Sequence, residues 1–165
     1  MIRSLKKYAS VPTRPRPLTR TQSAYLFRLK TAMIKFSQGL FLFCMGGSVY
    51  FLIEIAYRGY SHISMFLCGG IGLCGIYAIH TVLKNNFAIF RWILGALYIT
   101  ILEFWCGVIV NLILNLHVWS YASFPFNMLG QICLPFTIIW FFLCIPADIL
   151  CRLFHYLFRQ QIAAT

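Results

Sequence analysis

The chain has 165 residues and a formal net charge of +11, and it is 61% hydrophobic, 18% aromatic and only 10% charged. This composition excludes an ordinary soluble domain, and the length suits one compact bundle without an attached catalytic domain. Because the basic residues border apolar segments, membrane orientation explains the charge, and we expect no nucleic-acid partner.

The first 35 residues form a basic segment that holds nine Lys or Arg residues and no acidic residue. Three prolines between positions 12 and 17 prevent a helix there. From Ser23 to Lys35, mixed apolar and basic residues favour a short interfacial helix that leads into the first span. We expect residues 1–35 to be a cytoplasmic tail that is attracted to anionic lipid.

Four apolar segments follow, at about 36–57, 64–83, 92–116 and 129–149. Each has close to the ~20 residues that a helix needs to cross a hydrocarbon layer of ~30 Å, where every backbone polar group must be satisfied internally. The sequence therefore predicts an all-α membrane protein. A bundle of four transmembrane helices occupies residues 36–151, and a short cytoplasmic tail, 152–165, follows it. The two halves of the chain are weakly similar in sequence. Duplication of a two-helix unit, which would give two parallel repeats, is therefore one alternative for how the bundle arose.

The basic residues also predict the orientation. Thirteen of the 14 Lys and Arg residues lie in the first segment, the second connection and the C-terminal segment, and Arg58 alone lies in another connection. The positive-inside rule then places both termini in the cytoplasm and the chain in the cytoplasmic (inner) membrane as a multi-pass protein.

A stripe of small and polar residues runs along the third span. The residues that recur every four positions are Gly95, Ile99, Glu103, Gly107, Asn111 and Asn115. In lipid such a stripe is typical of a helix–helix interface. Glu103 lies ~16 Å past Trp92 along the helix, where an ionised and unpaired carboxylate is costly. We predict a protonated acid bonded to a neighbouring helix, and both a functional and a structural role stay open.

The candidate polar site within the membrane comprises Glu103, Asn111, Asn115, Glu54, Arg58 and Tyr50. Glu54 and Arg58 are one helical turn apart, which predicts an ion pair near the outer surface. Close helix packing is expected at Gly69, Gly70, Gly72, Gly107, Gly130 and Gln131.

The third connection, HVWSYASFPFN, is typical of an interfacial or re-entrant cap. Its key residues are Trp119, Tyr121, Pro125 and Asn127. We expect Pro125 and Asn127 to form a turn that caps the start of the fourth span. Pro135 is expected to kink that span and to free the carbonyl of Gln131. Asp148 and Arg152, one turn apart, are predicted to form a salt pair.

The seven cysteines and four histidines show no CxxC pair and no metal-ligand spacing, so neither a disulfide framework nor a metal site is expected. No P-loop, nucleophile elbow or HExxH motif is present either. We therefore predict no cofactor and no enzymatic activity.

Several short runs together resemble a known family. They are EIAYRGYSHISM (54–65) followed by Gly69 and Gly70, LEF (102–104) with Gly107 and Asn111, VWSY (118–121), PFN (125–127) and GQICLPF (130–136). Over about residues 36–153 they resemble the small bacterial membrane proteins labelled putative ABC-transporter permease, the CmpB-type, type IV family. The chain departs from that family at Ser120, where an acid is common, and near Asp148, where an acid pair is reduced to one. This resemblance implies a role in transport.

We accordingly predict a membrane subunit of a transport or permease-like assembly. Four helices scarcely enclose a pathway, so a homo-oligomer or other membrane partners are expected. The alternative is a non-transporting structural or regulatory membrane protein that acts through helix–helix interactions, with the polar stripe serving only to hold helices together.

Overall fold

The structure is a computed structural model, and it describes residues 19–163. Its helices are α1 Arg20–Arg58, α2 Ile63–Val82, α3 Ala88–Gly107 and α4 Leu134–Ala163. A π-helix, Val108–Ile113, continues α3, and two antiparallel strands, β1 Asn127–Met128 and β2 Ile132–Cys133, precede α4. The four helical segments are long and apolar enough to cross a membrane. The predicted all-helical membrane protein with four spans is confirmed.

Helix α1 is one continuous helix of 39 residues. It begins at Thr19, whose hydroxyl accepts a hydrogen bond from the backbone N–H of Gln22 while the Gln22 side chain accepts one from the Thr19 N–H, a capping box. It ends at Gly59, which takes a left-handed conformation with φ of 81°. Residues 23–35, which were predicted as an interfacial helix, are helical and continue without a break into the first span. The tail expected at residues 1–18 lies outside the described residues.

Helix α4 begins later and ends later than the predicted span 129–149. Residues before it pair as a hairpin, with Asn127 opposite Cys133 and Met128 opposite Ile132. Leu129 and Gly130 have positive φ values of 52° and 68°, which an α-helix cannot contain. The helix then continues to Ala163, so the segment expected as a short tail is helical as far as it is described.

Glycines allow the helices to pack closely. A methyl group on Gly46 would lie 2.5 Å from the carbonyl oxygen of Gly69, and one on Gly70 would lie 2.7 Å from the Phe43 ring. A methyl group on Gly72 would lie 2.8 Å from the Ile99 side chain of α3. The glycines selected from the sequence in α2 thus lie at its contacts with α1 and α3.

Two polar networks occupy opposite ends of the bundle. The first lies under residues 114–133, which we call the cap. The second lies at the other end and joins α2, α3 and α4 through His80, Arg91 and Asp148, all of them buried.

Candidate functional site

Glu103 is buried on α3, with 3% of its surface exposed. It lies ten residues before the end of the π-helix, or ~15 Å along the helix axis. One carboxyl oxygen, Oε1, is 2.9 Å from the Tyr121 hydroxyl of the cap. The other, Oε2, accepts a hydrogen bond of 2.9 Å from the indole N–H of Trp140 on α4. The side chain thus joins three parts of the fold, and we call these three residues the Glu103 site.

The partners of Glu103 are neutral groups. Within residues 19–163 the ion pairs involve Glu54 and Asp148, and none involves Glu103. An indole can only donate, whereas a tyrosine hydroxyl both donates and accepts. A protonated Glu103 can therefore accept from Trp140 and donate to Tyr121. The Tyr121 hydroxyl can equally donate to Oε1, so the same geometry accommodates a neutral acid and a carboxylate that accepts from two donors.

Asn111 holds the cap in place. It lies in the π-helix, a form of helix that often occurs at functional sites. Its amide nitrogen donates to the Trp119 carbonyl at 3.0 Å and to Oε1 of Gln131 at 2.8 Å, and its oxygen accepts from the Val118 N–H at 2.7 Å. One buried amide therefore satisfies three groups of the cap.

Trp119 and Gln131 make a further hydrogen bond that holds the cap in place. The Trp119 indole donates to the Gln131 carbonyl at 3.1 Å. Pro135 was expected to leave this carbonyl without a helical donor, and the Trp119 indole is the donor that it finds. Pro135 is the second residue of α4, so it lies at the start of the helix and the predicted kink there is wrong. The proline inside the helix is Pro146. A methyl group on Gly107 would lie 2.5 Å from the Gln131 amide oxygen, so the glycine lets the cap reach α3.

Two other predicted residues have different roles from those expected. Asn127 does not cap α4, which begins seven residues later; its side chain donates to the Phe124 carbonyl at 2.9 Å and accepts from the Gly130 N–H at 3.2 Å, closing the turn around Pro125. Asn115 is exposed and lies beyond the π-helix with a φ of 52°. It is not part of the Glu103 site.

Glu54 and Arg58 form the predicted ion pair on α1. The Arg58 guanidinium also donates to the Val118 carbonyl at 2.7 Å, and the Ser61 hydroxyl donates to Glu54 at 3.2 Å. The pair therefore fastens the cap to α1.

An apolar groove of about 450 Å³ leads from the flank of the bundle to Glu103. It opens between α1 and α4, and side chains of α2 and α3 also line it. Aromatic pairs outside its lining join α1 to α4: Phe41 with Phe154, 5.5 Å apart, and Tyr57 with Phe136, 6.2 Å apart. The lining includes Val49, Ile53, Leu73, Ile76, Leu143, Ala147 and Leu150, with Tyr50, Glu103 and Trp140 as polar groups. The rings of Tyr50 and Trp140 lie 5.6 Å apart at its floor.

Sequence reasoning missed Trp140, which gave no signal beyond being an aromatic residue in an apolar span. It also missed the second network. Asp148 accepts from the Arg91 guanidinium through both oxygens, at 2.8 and 3.0 Å, and contacts Nδ1 of His80 at 2.7 Å. The predicted partner Arg152 is present at 3.4 Å but is largely exposed, so it is the weaker contact.

Nothing in residues 19–163 resembles a metal centre, because no group of three or more His, Cys, Asp or Glu side chains converges there. The seven cysteines are free thiols.

Residues 41–164 match the family model described as "Putative ABC-transporter type IV". No curated protein and no solved structure matches the chain.

Proposed function

Because the chain belongs to the Putative ABC-transporter type IV family, we propose that it is the membrane subunit of a transport assembly in the cytoplasmic membrane, with both termini inside. The observation that carries this proposal is the Glu103 site: a buried carboxyl group at the floor of an apolar groove on the flank of the bundle. Ionisable residues inside a membrane commonly mark substrate or ion paths.

The groove, and not the bundle axis, is the proposed place of contact with cargo. At Gly95 and Gly72 the third helix packs closely against α4 and α2, through Cys144 and Ile99 respectively. A pathway alongside the bundle needs a second wall. We therefore propose that another copy of the chain, or another membrane protein, covers the flank formed by α1 and α4.

The lining indicates the class of cargo. Apolar side chains surround the groove, and three groups capable of hydrogen bonding, on Tyr50, Glu103 and Trp140, converge at its floor. Sites of this kind bind molecules with a large apolar part and fix them through a few polar contacts. The proposed cargo is an amphiphilic molecule whose hydrogen-bonding group reaches Glu103.

One observation favours the alternative, a non-transporting structural or regulatory membrane protein. Both oxygens of Glu103 already have partners within the chain, at 2.9 Å each. If these bonds only hold α3, α4 and the cap together, the site needs no ligand.

Blocking the groove distinguishes the two functions. In cells whose own copy of the gene is deleted, we expect wild-type protein and Leu52→Trp to restore the transport of fluorescent amphiphilic compounds, and Val49→Trp to fail. Val49 lines the groove, whereas Leu52 is exposed on the same helix and does not. Full activity of Val49→Trp at equal expression would contradict the proposal, and so would a deletion that alters the transport of none of the compounds.

A further inference from the structure

A second cavity, of about 490 Å³, lies at the end of the bundle opposite the cap. Its wall is basic: Arg152 and Arg159 contribute guanidinium groups, and His80 and His155 contribute imidazoles. Arg152, His155 and Arg159 recur at intervals of three and four residues, so they share one face of α4.

The positive charge of this wall is poorly compensated. Asp148 is the acidic residue at this end. The Arg91 guanidinium and His80 contact it closely and the exposed Arg152 reaches it at 3.4 Å, so one carboxylate faces three basic side chains. Arg159 takes part in none of the ion pairs within residues 19–163. A guanidinium without a carboxylate partner is suited to an external anion.

A buried atom of the wall also lacks a partner. Nε2 of His155 is shielded from solvent and makes no hydrogen bond within the described residues. His80, also on the wall, is 5% exposed. That nitrogen is covered by protein atoms, so a ligand in the open cavity meets the guanidinium groups of Arg152 and Arg159 and not Nε2 of His155.

The cavity lies at the depth of lipid headgroups. Arg159 is 25 residues past the start of α4, or ~38 Å along the helix, and the hydrocarbon layer is only ~30 Å thick. A phosphate group at this level can belong to a lipid or to a soluble molecule.

We propose that this cavity binds a phosphate group, held by Arg152 and Arg159 through charge-assisted hydrogen bonds. Phosphate oxygens match the guanidinium fork, and the shared chemistry covers both a phospholipid headgroup and free phosphate. The site is separate from the groove, so it does not depend on the proposed transport function.

Binding to the purified full-length protein tests this proposal with two probes. Inorganic phosphate is titrated in detergent, and retention of phosphatidylglycerol is measured by native mass spectrometry. Whichever probe binds the wild type, we expect Arg159→Gln to bind it about tenfold more weakly. Loss of one charge-assisted hydrogen bond raises Kd by about this factor.

The matched control is Lys84→Gln, which removes one positive charge from an exposed position at the same end of the bundle that does not line the cavity. We expect it to bind both probes as the wild type does. Binding of phosphate in detergent would identify a soluble ligand, and binding of phosphatidylglycerol alone would identify a lipid. Either result supports the site. If neither probe binds the wild type, or if Lys84→Gln loses as much binding as Arg159→Gln, the proposal is wrong.

Discussion

Replacing Glu103 separates its structural role from its chemical role. Glu103→Gln keeps an oxygen that can accept from the Trp140 indole and supplies an N–H that can donate to the Tyr121 hydroxyl. Glu103→Ala removes both bonds and leaves the buried Trp140 indole and the half-buried Tyr121 hydroxyl without this partner. We therefore expect the Gln variant to keep the fold and the Ala variant to lose stability.

The magnitude follows from the two hydrogen bonds. Hydrogen bonds between transmembrane helices contribute about 0.6 kcal/mol each on average and at most about 1.7 kcal/mol. Loss of both bonds in Glu103→Ala then costs roughly 1–3 kcal/mol, or roughly 3–10 °C in melting temperature for a chain of this size. Trp140→Phe removes one donor and leaves the aromatic ring, so it should lose about half as much as the Ala variant.

The assay is thermal unfolding of the purified variants in one detergent, alongside the transport test described above. If Glu103 transfers protons or binds a cation, Glu103→Gln keeps the melting temperature and abolishes transport. If Glu103 only joins the helices, the Gln variant keeps both. A Gln variant that melts as low as the Ala variant would refute the neutral-acid interpretation, because it would show that the carboxylate charge itself is needed.

Three further outcomes are expected. In a background without native cysteines, a cysteine at Ser123 should react with an impermeant thiol reagent added to intact cells and one at Ser10 should not; labelling at Ser10 would overturn the proposed orientation. Asp148→Asn should lower the free energy of unfolding by about 3–5 kcal/mol, because it leaves the buried Arg91 without its counter-charge. The measurement is chemical denaturation, and an unchanged denaturant midpoint would contradict this prediction. Gly107→Ala should loosen the cap, since its methyl group would meet a buried amide 2.5 Å away; unaltered proteolysis of the cap would show that the contact can adjust.

The sequence predicted the parts of the fold that depend on composition and period. Long apolar segments give helices in lipid whatever their neighbours, and a one-turn spacing suffices to pair Glu54 with Arg58. The burial of Glu103 could also be predicted, because it depends only on position within an apolar span.

Contacts between distant segments could not be predicted in this way. The start of α4 depends on a hairpin and on left-handed residues in the cap, and that conformation is stabilised by Asn111 from another element. Trp140 meets Glu103 only because α4 packs on α3. Asp148 was assigned to its neighbour in sequence, Arg152, whereas the buried partner Arg91 comes from a different helix. Local spacing finds partners within one helix and misses those brought together by packing.

The central claim is that a neutral Glu103 carboxyl is reached from the lipid through the groove between α1 and α4. Its most direct test is to label the protein in membranes with dicyclohexylcarbodiimide, a lipophilic reagent that reacts with protonated carboxyl groups. Peptide mass spectrometry then identifies the modified residue. We expect modification at Glu103, slower modification in Val49→Trp, and unchanged modification in Leu52→Trp. Labelling of Glu103 by a water-soluble carbodiimide but not by the lipophilic one would place the carboxyl in an aqueous path and contradict the account.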